Sequence, residues 1–239
     1  MQISNLPKIG FDEDFLRNNI KKVVAWDFPH LPHILIFGGT GSGKTYCLKS
    51  LLGSVAMFVS KAKVTICDYK ADDFSFLEDR ENYYAFNDCY EGLTAFFESF
   101  QKRQRKEDTS RNFRLLVFDE WAAFVGNLDK KESDNAKKML STILMLGRSF
   151  NYHIIISQQR ADAKYFDTAR DNFSIILAMG NISKESVQMF FSDYKEEISH
   201  DRKRGMGHIY IDGEGVKKII IPPVRNEGKL KFFIRKIIR

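Results

Sequence analysis

The sequence predicts an α/β fold, with a mainly parallel central sheet flanked by helices and a C-terminal antiparallel β-hairpin. Three observations carry the prediction. Five apolar runs of strand length, 33–37, 64–68, 115–119, 153–157 and 175–179, alternate with helical or mixed stretches, the pattern of parallel strands joined by crossover helices. The run GGTGSGKT, Gly38 to Thr45, directly follows the first of them. Near the end, 208–211 and 216–221 flank Asp212 and Gly213 and are closed by Pro222 and Pro223, which reads as a hairpin at a sheet edge.

Each helix follows from its own spacing. After the glycine-rich run, Tyr46 to Leu52 carries Leu48, Leu51 and Leu52 on one helical face. Leu93, Phe96, Phe97 and Phe100 fall at i, i+3, i+4 and i+7, and Ala136, Met139, Leu140, Ile143 and Leu144 repeat that spacing, so both stretches are amphipathic helices packed on the sheet. The tail places Leu230, Phe233, Ile234, Ile237 and Ile238 on one face and Lys229, Lys231, Arg235, Lys236 and Arg239 mostly on the other. Such a basic amphipathic helix suits membrane, DNA or a partner, and suits docking on its own domain equally well.

Composition sets bounds. At 239 residues the chain fits one large domain that buries about 70% of its unfolded surface without help from metal or disulfide. Cys47, Cys67 and Cys89 are odd in number and lack metal-ligand spacing, so they are expected as reduced packing residues in a cytoplasmic protein. No segment approaches the roughly 18 uninterrupted apolar residues that span a bilayer, and the start lacks a signal-peptide core. The net charge of +6 is compatible with a polyanionic partner without identifying one.

The motif G-x-x-x-x-G-K-[ST] carries the chemistry. Its glycines let backbone N–H groups and the following helix N-terminus close around a phosphate. Gly38, Gly39, Thr40, Gly41, Ser42, Gly43, Lys44, Thr45 and Tyr46 are therefore the expected nucleotide-binding residues, with ATP and Mg²⁺ as cofactors. Lys44 adds a mobile cation and Thr45 a hydroxyl for Mg²⁺. Downstream, RLLVFDEW is an apolar strand ending in two carboxylates. Beside such a loop, Asp119 is expected to hold Mg²⁺ through its water shell and Glu120 to face the attacking water.

With these motifs in order, the chain resembles the motor domain of the FtsK and SpoIIIE DNA translocases, within the wider FtsK/HerA superfamily. LPHILIFGGTGSGKT resembles the lead-in to the family's phosphate loop. VTICDYK, with Asp68 and Lys70, resembles its strand ending in Asp-Pro-Lys, although Tyr69 replaces the proline. LGRSFNYHIIISQQR resembles its GR, strand, TQRP block through Gly147, Arg148, His153, Gln159 and Arg160. NISKESVQMF and RGMGHIYI resemble the stretch before the closing hairpin. The likeness runs from Ala25 to Val224 and implies a RecA-like P-loop ATPase fold.

It also implies roles. Arg148 matches the arginine inserted into a neighbouring subunit's site, where it stabilises charge on the γ-phosphoryl group. Gln159 matches the polar residue that senses the γ-phosphate. With Lys44 and Glu120 these make the expected catalytic set. Both retain a plainer reading, Arg148 as a cation favoured at a helix C-terminus and Gln159 as a surface amide. The family implies a homo-oligomer, a hexameric ring whose channel takes double-stranded DNA by its backbone. Arg160 and the loop after it, with Arg202, Lys203 and Arg204, are the expected DNA contacts, although basic clusters also serve as solvated faces.

The expected organisation is an N-terminal arm, 1–24, a motor domain, 25–225, and a basic tail, 226–239. The 37 residues before Gly38 and the few after Pro223 leave no room for the anchor, second ring-forming subdomain and winged helix of fuller members. A minimal motor of a phage, plasmid or other mobile element is therefore expected, with a relaxase, nuclease or portal as a further partner. The alternative is a ring-forming, ATP-dependent adaptor that recruits such partners without moving DNA. A small-molecule kinase is disfavoured by the paired carboxylates and by the lack of an arginine-rich lid.

Overall fold

The computed structural model describes residues 5–160 and 163–238. Among these residues ten strands form one sheet: β1 Lys8–Asp12, β2 Val23–Ala25, β3 His33–Phe37, β4 Lys63–Asp68, β5 Tyr83–Ala85, β6 Arg114–Asp119, β7 Tyr152–Gln158, β8 Ile175–Met179, β9 Met206–Ile211 and β10 Gly215–Ile220. The helices are α1 Glu13–Arg17, α2 Lys44–Phe58, α3 Cys89–Gln104, α4 Trp121–Asn127, α5 Lys130–Leu146, α6 Lys184–Phe190 and α7 Glu227–Ile237. All five predicted parallel strands, the hairpin and the four predicted helices appear where the spacing places them.

Spatially the order is β2-β1-β10-β9-β8-β3-β7-β6-β4-β5. From β8 to β5 the strands are parallel, and from β9 to β2 each pairs antiparallel with its neighbour. The strand carrying the glycine-rich loop, β3, lies between β7 and β8, whereas the strand carrying the carboxylates, β6, is one further away beyond β7. The end of β7 is thus interposed between phosphate loop and acidic pair. Ligands bind at this carboxyl edge of an open α/β sheet, where strand order reverses.

The core has two layers because the strands are covered on both faces. Ile34 and Ile36 face Leu48, Leu51, Leu52 and Val55 of α2 and Ile234 and Ile237 of α7. Leu35 and Phe37 point the other way, toward α3, α4 and α5 through Phe96, Phe100, Phe124, Leu140 and Ile143. Every residue of β3 is buried, which explains why Ile34 to Phe37 is continuously apolar rather than alternating. Each such side chain contributes about 1.5–3 kcal/mol by leaving water. The three cysteines are free and buried.

The stretch expected as an N-terminal arm is built into the sheet. Phe11 pairs with Ile220 and Asp12 with Ile219, and a Cβ on Gly10 would stand 2.7 Å from the Ile220 carbonyl oxygen. On its other edge β1 pairs with β2, so the hairpin, some two hundred residues downstream, is what joins this pair to the rest of the sheet. The tail helix α7 docks on α2, where the missing side chain of Gly53 makes room for Leu230. Arg235 fastens it further, donating to the Phe76 carbonyl and to Asp79. Among the described residues no helix is long and apolar enough to cross a membrane.

Candidate nucleotide site

The phosphate loop owes its path to glycines at three positive-φ positions, Gly38 at 155°, Gly41 at 78° and Gly43 at 100°. At Gly38 the requirement is steric as well, since a Cβ there would lie 2.2 Å from the Met179 carbonyl oxygen. Helix α2 starts at Lys44 with Gly43 as its cap, no side-chain capping bond and no acidic residue in its first turn. Its first N–H groups and the positive end of its dipole are therefore left for an anion. Lys44 is buried, and its ammonium donates to the Gly38 carbonyl at 2.7 Å.

Across β7 lie the two carboxylates. Asp119 is buried at the end of β6, in register with Ser157 and Asp68. Burial pushes its carboxyl up to about 7, and the charges of Glu120, Asp68 and Asp73 add to the rise while the Ser157 hydroxyl opposes it. A cation bound beside it would favour the charged carboxylate. Hard oxygens from Thr45 and Asp119 beside a phosphate cradle are the donor set that suits Mg²⁺, so the residues fit the expected metal.

Glu120 caps α4 with φ 60° and ψ 44°, a left-handed conformation that costs a non-glycine residue on the order of 1 kcal/mol. Its backbone N–H donates to the Ser157 carbonyl at 2.7 Å, which holds the strained turn. Burial raises its carboxyl above the ordinary range, although Lys44 and the amide and backbone N–H of Gln159 pull the other way. A carboxylate of raised basicity near a phosphate loop is suited to take a proton from water. Gln159 is exposed at the end of β7 and meets Glu120, so the two expected residues come together.

Arg148 does not join them. It lies exposed in the turn between α5 and β7, at the amino end of the strand, and its Nε donates to the Pro29 carbonyl at 3.1 Å. The length of β7, about 3.3 Å per residue, separates it by roughly 20 Å from the edge that carries its own phosphate loop.

Among the expected DNA contacts, Arg160, Lys203 and Arg204 are exposed. Arg202 is not a surface cation: it is 7% exposed, pairs with the buried Glu13 and donates to the Gly207 carbonyl at 3.2 Å. A guanidinium committed to a buried carboxylate cannot also grip phosphates, which corrects the sequence expectation. Part of the loop expected after Arg160, residues 161–162, lies outside the described residues.

Four features were missed from sequence. Thr45 Oγ1 donates to Asp73 at 3.1 Å. The Gly205 N–H donates to the Ser42 carbonyl. Gly180 stands so close that a Cβ on it would meet Ser42 at 2.8 Å. Gln158 is wholly buried, with neither amide atom partnered among the described residues. Only Asp73, in the acidic run after Lys70, had a local signal. The departure at Tyr69 also has a consequence: its N–H lies 3.4 Å from the Asp119 carbonyl oxygen as a donor, which a proline would lack.

A sequence model of the FtsK/SpoIIIE family matches residues 8–200. The chain belongs to the FtsK/SpoIIIE family. Among relatives, it is 29% identical over 237 residues to the FtsK domain-containing protein YdcQ of Bacillus subtilis, covering 91% of this chain and 49% of that one. It is 38% identical over 60 residues to the DNA translocase FtsK of Leptospira interrogans, covering 24% of this chain and 6% of that one. The chain thus spans about half or less of the curated relatives it matches. In fold it resembles the pCW3 conjugation coupling protein TcpA with ATPγS, at TM-score 0.74, 17% identity and coverage of 99% of this chain and 71% of that one. It also resembles ATPases 2 and 3 of EssC from Geobacillus thermodenitrificans, at TM-score 0.72, 16% identity and coverage of 98% and 49%. These likenesses bear out the RecA-like P-loop architecture of an FtsK/SpoIIIE-type ATPase.

Proposed function

We propose that this chain is an ATP-hydrolysing motor that moves double-stranded DNA through a homo-oligomeric ring, with each nucleotide cleaved at a junction between two subunits. The observation that carries the proposal is the separation of Arg148 from its own phosphate loop, across the full length of β7. A cation exposed at that edge serves hydrolysis only in a neighbour's site, and identical contacts made head to tail close into a ring when the rotation permits. The family's hexamer, a cytoplasmic setting and a mobile-element origin belong to the same reading.

Within the site, N–H groups from Gly38 to Thr45 and the start of α2 hold the phosphates, and Lys44 exchanges its bond to the Gly38 carbonyl for a phosphate oxygen. Thr45 and Asp119 would hold Mg²⁺, which when bound would supply charge neutralisation at the phosphates. Glu120 accepts the proton of the attacking water. Gln159, just past the end of β7, reports the occupancy of the site to the loop that follows it. Arg148 of the next subunit stabilises the charge that develops, a contribution worth about 10³–10⁵ in turnover for arginines of this kind.

The test is to mix Arg148→Ala subunits with Lys44→Ala subunits, each inactive alone. Partial recovery of ATP hydrolysis is expected, from intact Lys44 sites facing an intact Arg148. Mixtures that stay as inactive as their components would rule out shared sites.

A further inference from the structure

Asp73 belongs neither to the phosphate loop nor to the Asp119–Glu120 pair, yet it is the carboxylate that Thr45 meets. Thr45 Oγ1 donates to Asp73 Oδ2 at 3.1 Å. The approach is built rather than incidental. Asp68, buried at the end of β4, accepts the N–H groups of Ala71 and Phe74, each at 3.1 Å, and so folds the intervening loop back over the strand end. Phe74, next to Asp73, is completely buried and anchors the loop. Lys70 lies 3.7 Å from Asp73 and 3.0 Å from the neighbouring Asp72, so its ammonium faces this loop.

A threonine hydroxyl has one proton and two lone pairs. When the proton is given to a fixed carboxylate, both lone pairs are left to a hard cation. Mg²⁺ keeps several waters in protein sites, and those waters need acceptors. A carboxylate has a second oxygen, and Asp73 meets Thr45 through Oδ2 alone, which leaves Oδ1 to accept from such a water.

We propose that Asp73 is a positioning residue of the Mg²⁺ site, holding the Thr45 hydroxyl by its proton and accepting from the water shell of the metal. The proposal rests on the nucleotide reading above. It adds a residue from the loop after β4 to a site otherwise built from the phosphate loop and β6. Partners of this outer kind are typically worth 10–100-fold in metal affinity.

The experiment is equilibrium calorimetry of a non-hydrolysable ATP analogue, in EDTA and across a Mg²⁺ titration. Wild type should bind in both, and more tightly with Mg²⁺. Asp73→Ala should weaken Mg²⁺ binding to the protein–nucleotide complex about 10-fold or more, with affinity in EDTA unchanged. Asp73→Asn keeps an acceptor for Thr45 but loses the charge, so it should weaken Mg²⁺ by less than the alanine variant, and it carries the comparison alone if Asp73→Ala does not fold. An equal loss in EDTA and in Mg²⁺ would show a structural role only and overturn the proposal, as would an unchanged Mg²⁺ titration. A wild-type protein that binds no nucleotide would instead reject the reading on which the proposal rests.

Discussion

The Gly205 N–H donates to the Ser42 carbonyl at 3.0 Å, so the lead-in to the closing hairpin is hydrogen-bonded to the middle of the phosphate loop. A Cβ on Gly43 would stand 3.1 Å from that same nitrogen. The lead-in is itself held by the buried Arg202–Glu13 pair, which ties it to α1. Support for the phosphate loop therefore extends to the N-terminal strands.

From this chain of contacts, Glu13→Gln should cost about 3–5 kcal/mol, the usual penalty for leaving a buried guanidinium without its carboxylate. Nucleotide affinity should fall as well, because residues 202–205 lose their anchor. Urea denaturation together with analogue binding checks both. Wild-type stability in the variant would show that the pair supports nothing.

The two central catalytic assignments should separate in binding. Lys44→Ala should lose nucleotide binding and turnover together. Glu120→Gln should bind nucleotide like wild type while turnover drops about 10²–10⁴-fold, the range for a lost general base. Steady-state hydrolysis beside analogue calorimetry distinguishes them, and a Glu120→Gln protein that hydrolyses at the wild-type rate would remove Glu120 from the mechanism.

Acid should destabilise the protein through its buried histidines. Burial pushes His33 down to about 3, helped by the neighbouring His153, and pushes His153 itself down to about 4. The unfolded chain, with histidines near 6.5, binds more protons below that pH. Stability is thus complete above about 6.5 and is lost as pH falls toward 4, by up to about 1.4 kcal/mol per unit for each ring. Asp119, raised to about 7, acts with the opposite sign in the same window. The informative comparison is therefore wild type against His153→Phe, whose loss of stability between pH 7 and pH 5 in urea unfolding should be smaller. Equal losses would mean that His153 does not contribute.

For DNA, exposed Arg160, Lys203 and Arg204 are the cations to change. Duplex DNA should stimulate hydrolysis and the stimulation should fade with salt. Removing one true phosphate contact should lower the slope of log affinity against log salt by about 0.9. An unchanged slope in all three variants would place the DNA elsewhere. Displacement of a triplex strand from a linear duplex separates a motor from an adaptor, since only movement along the duplex strips it.

Much of this molecule was legible in one dimension. The spans of β3, β4, β6, β7 and β8 and the identities of Lys44, Asp119 and Glu120 follow from local pattern, because a buried parallel strand must be apolar throughout and a phosphate loop needs its glycines at set intervals. Gln159 was singled out by resemblance as a γ-phosphate sensor, whereas its contact with Glu120 emerged only in the fold. Three-dimensional packing alone decided the rest. Asp73 reaches Thr45 from 28 residues away and Arg202 reaches Glu13 from 189, separations at which neither spacing nor hydropathy indicates a partner. Arg202 looked like one cation among several in RKRG and became a buried strut, because the charge of a side chain is written in the sequence while its exposure depends on which distant segments fold over it.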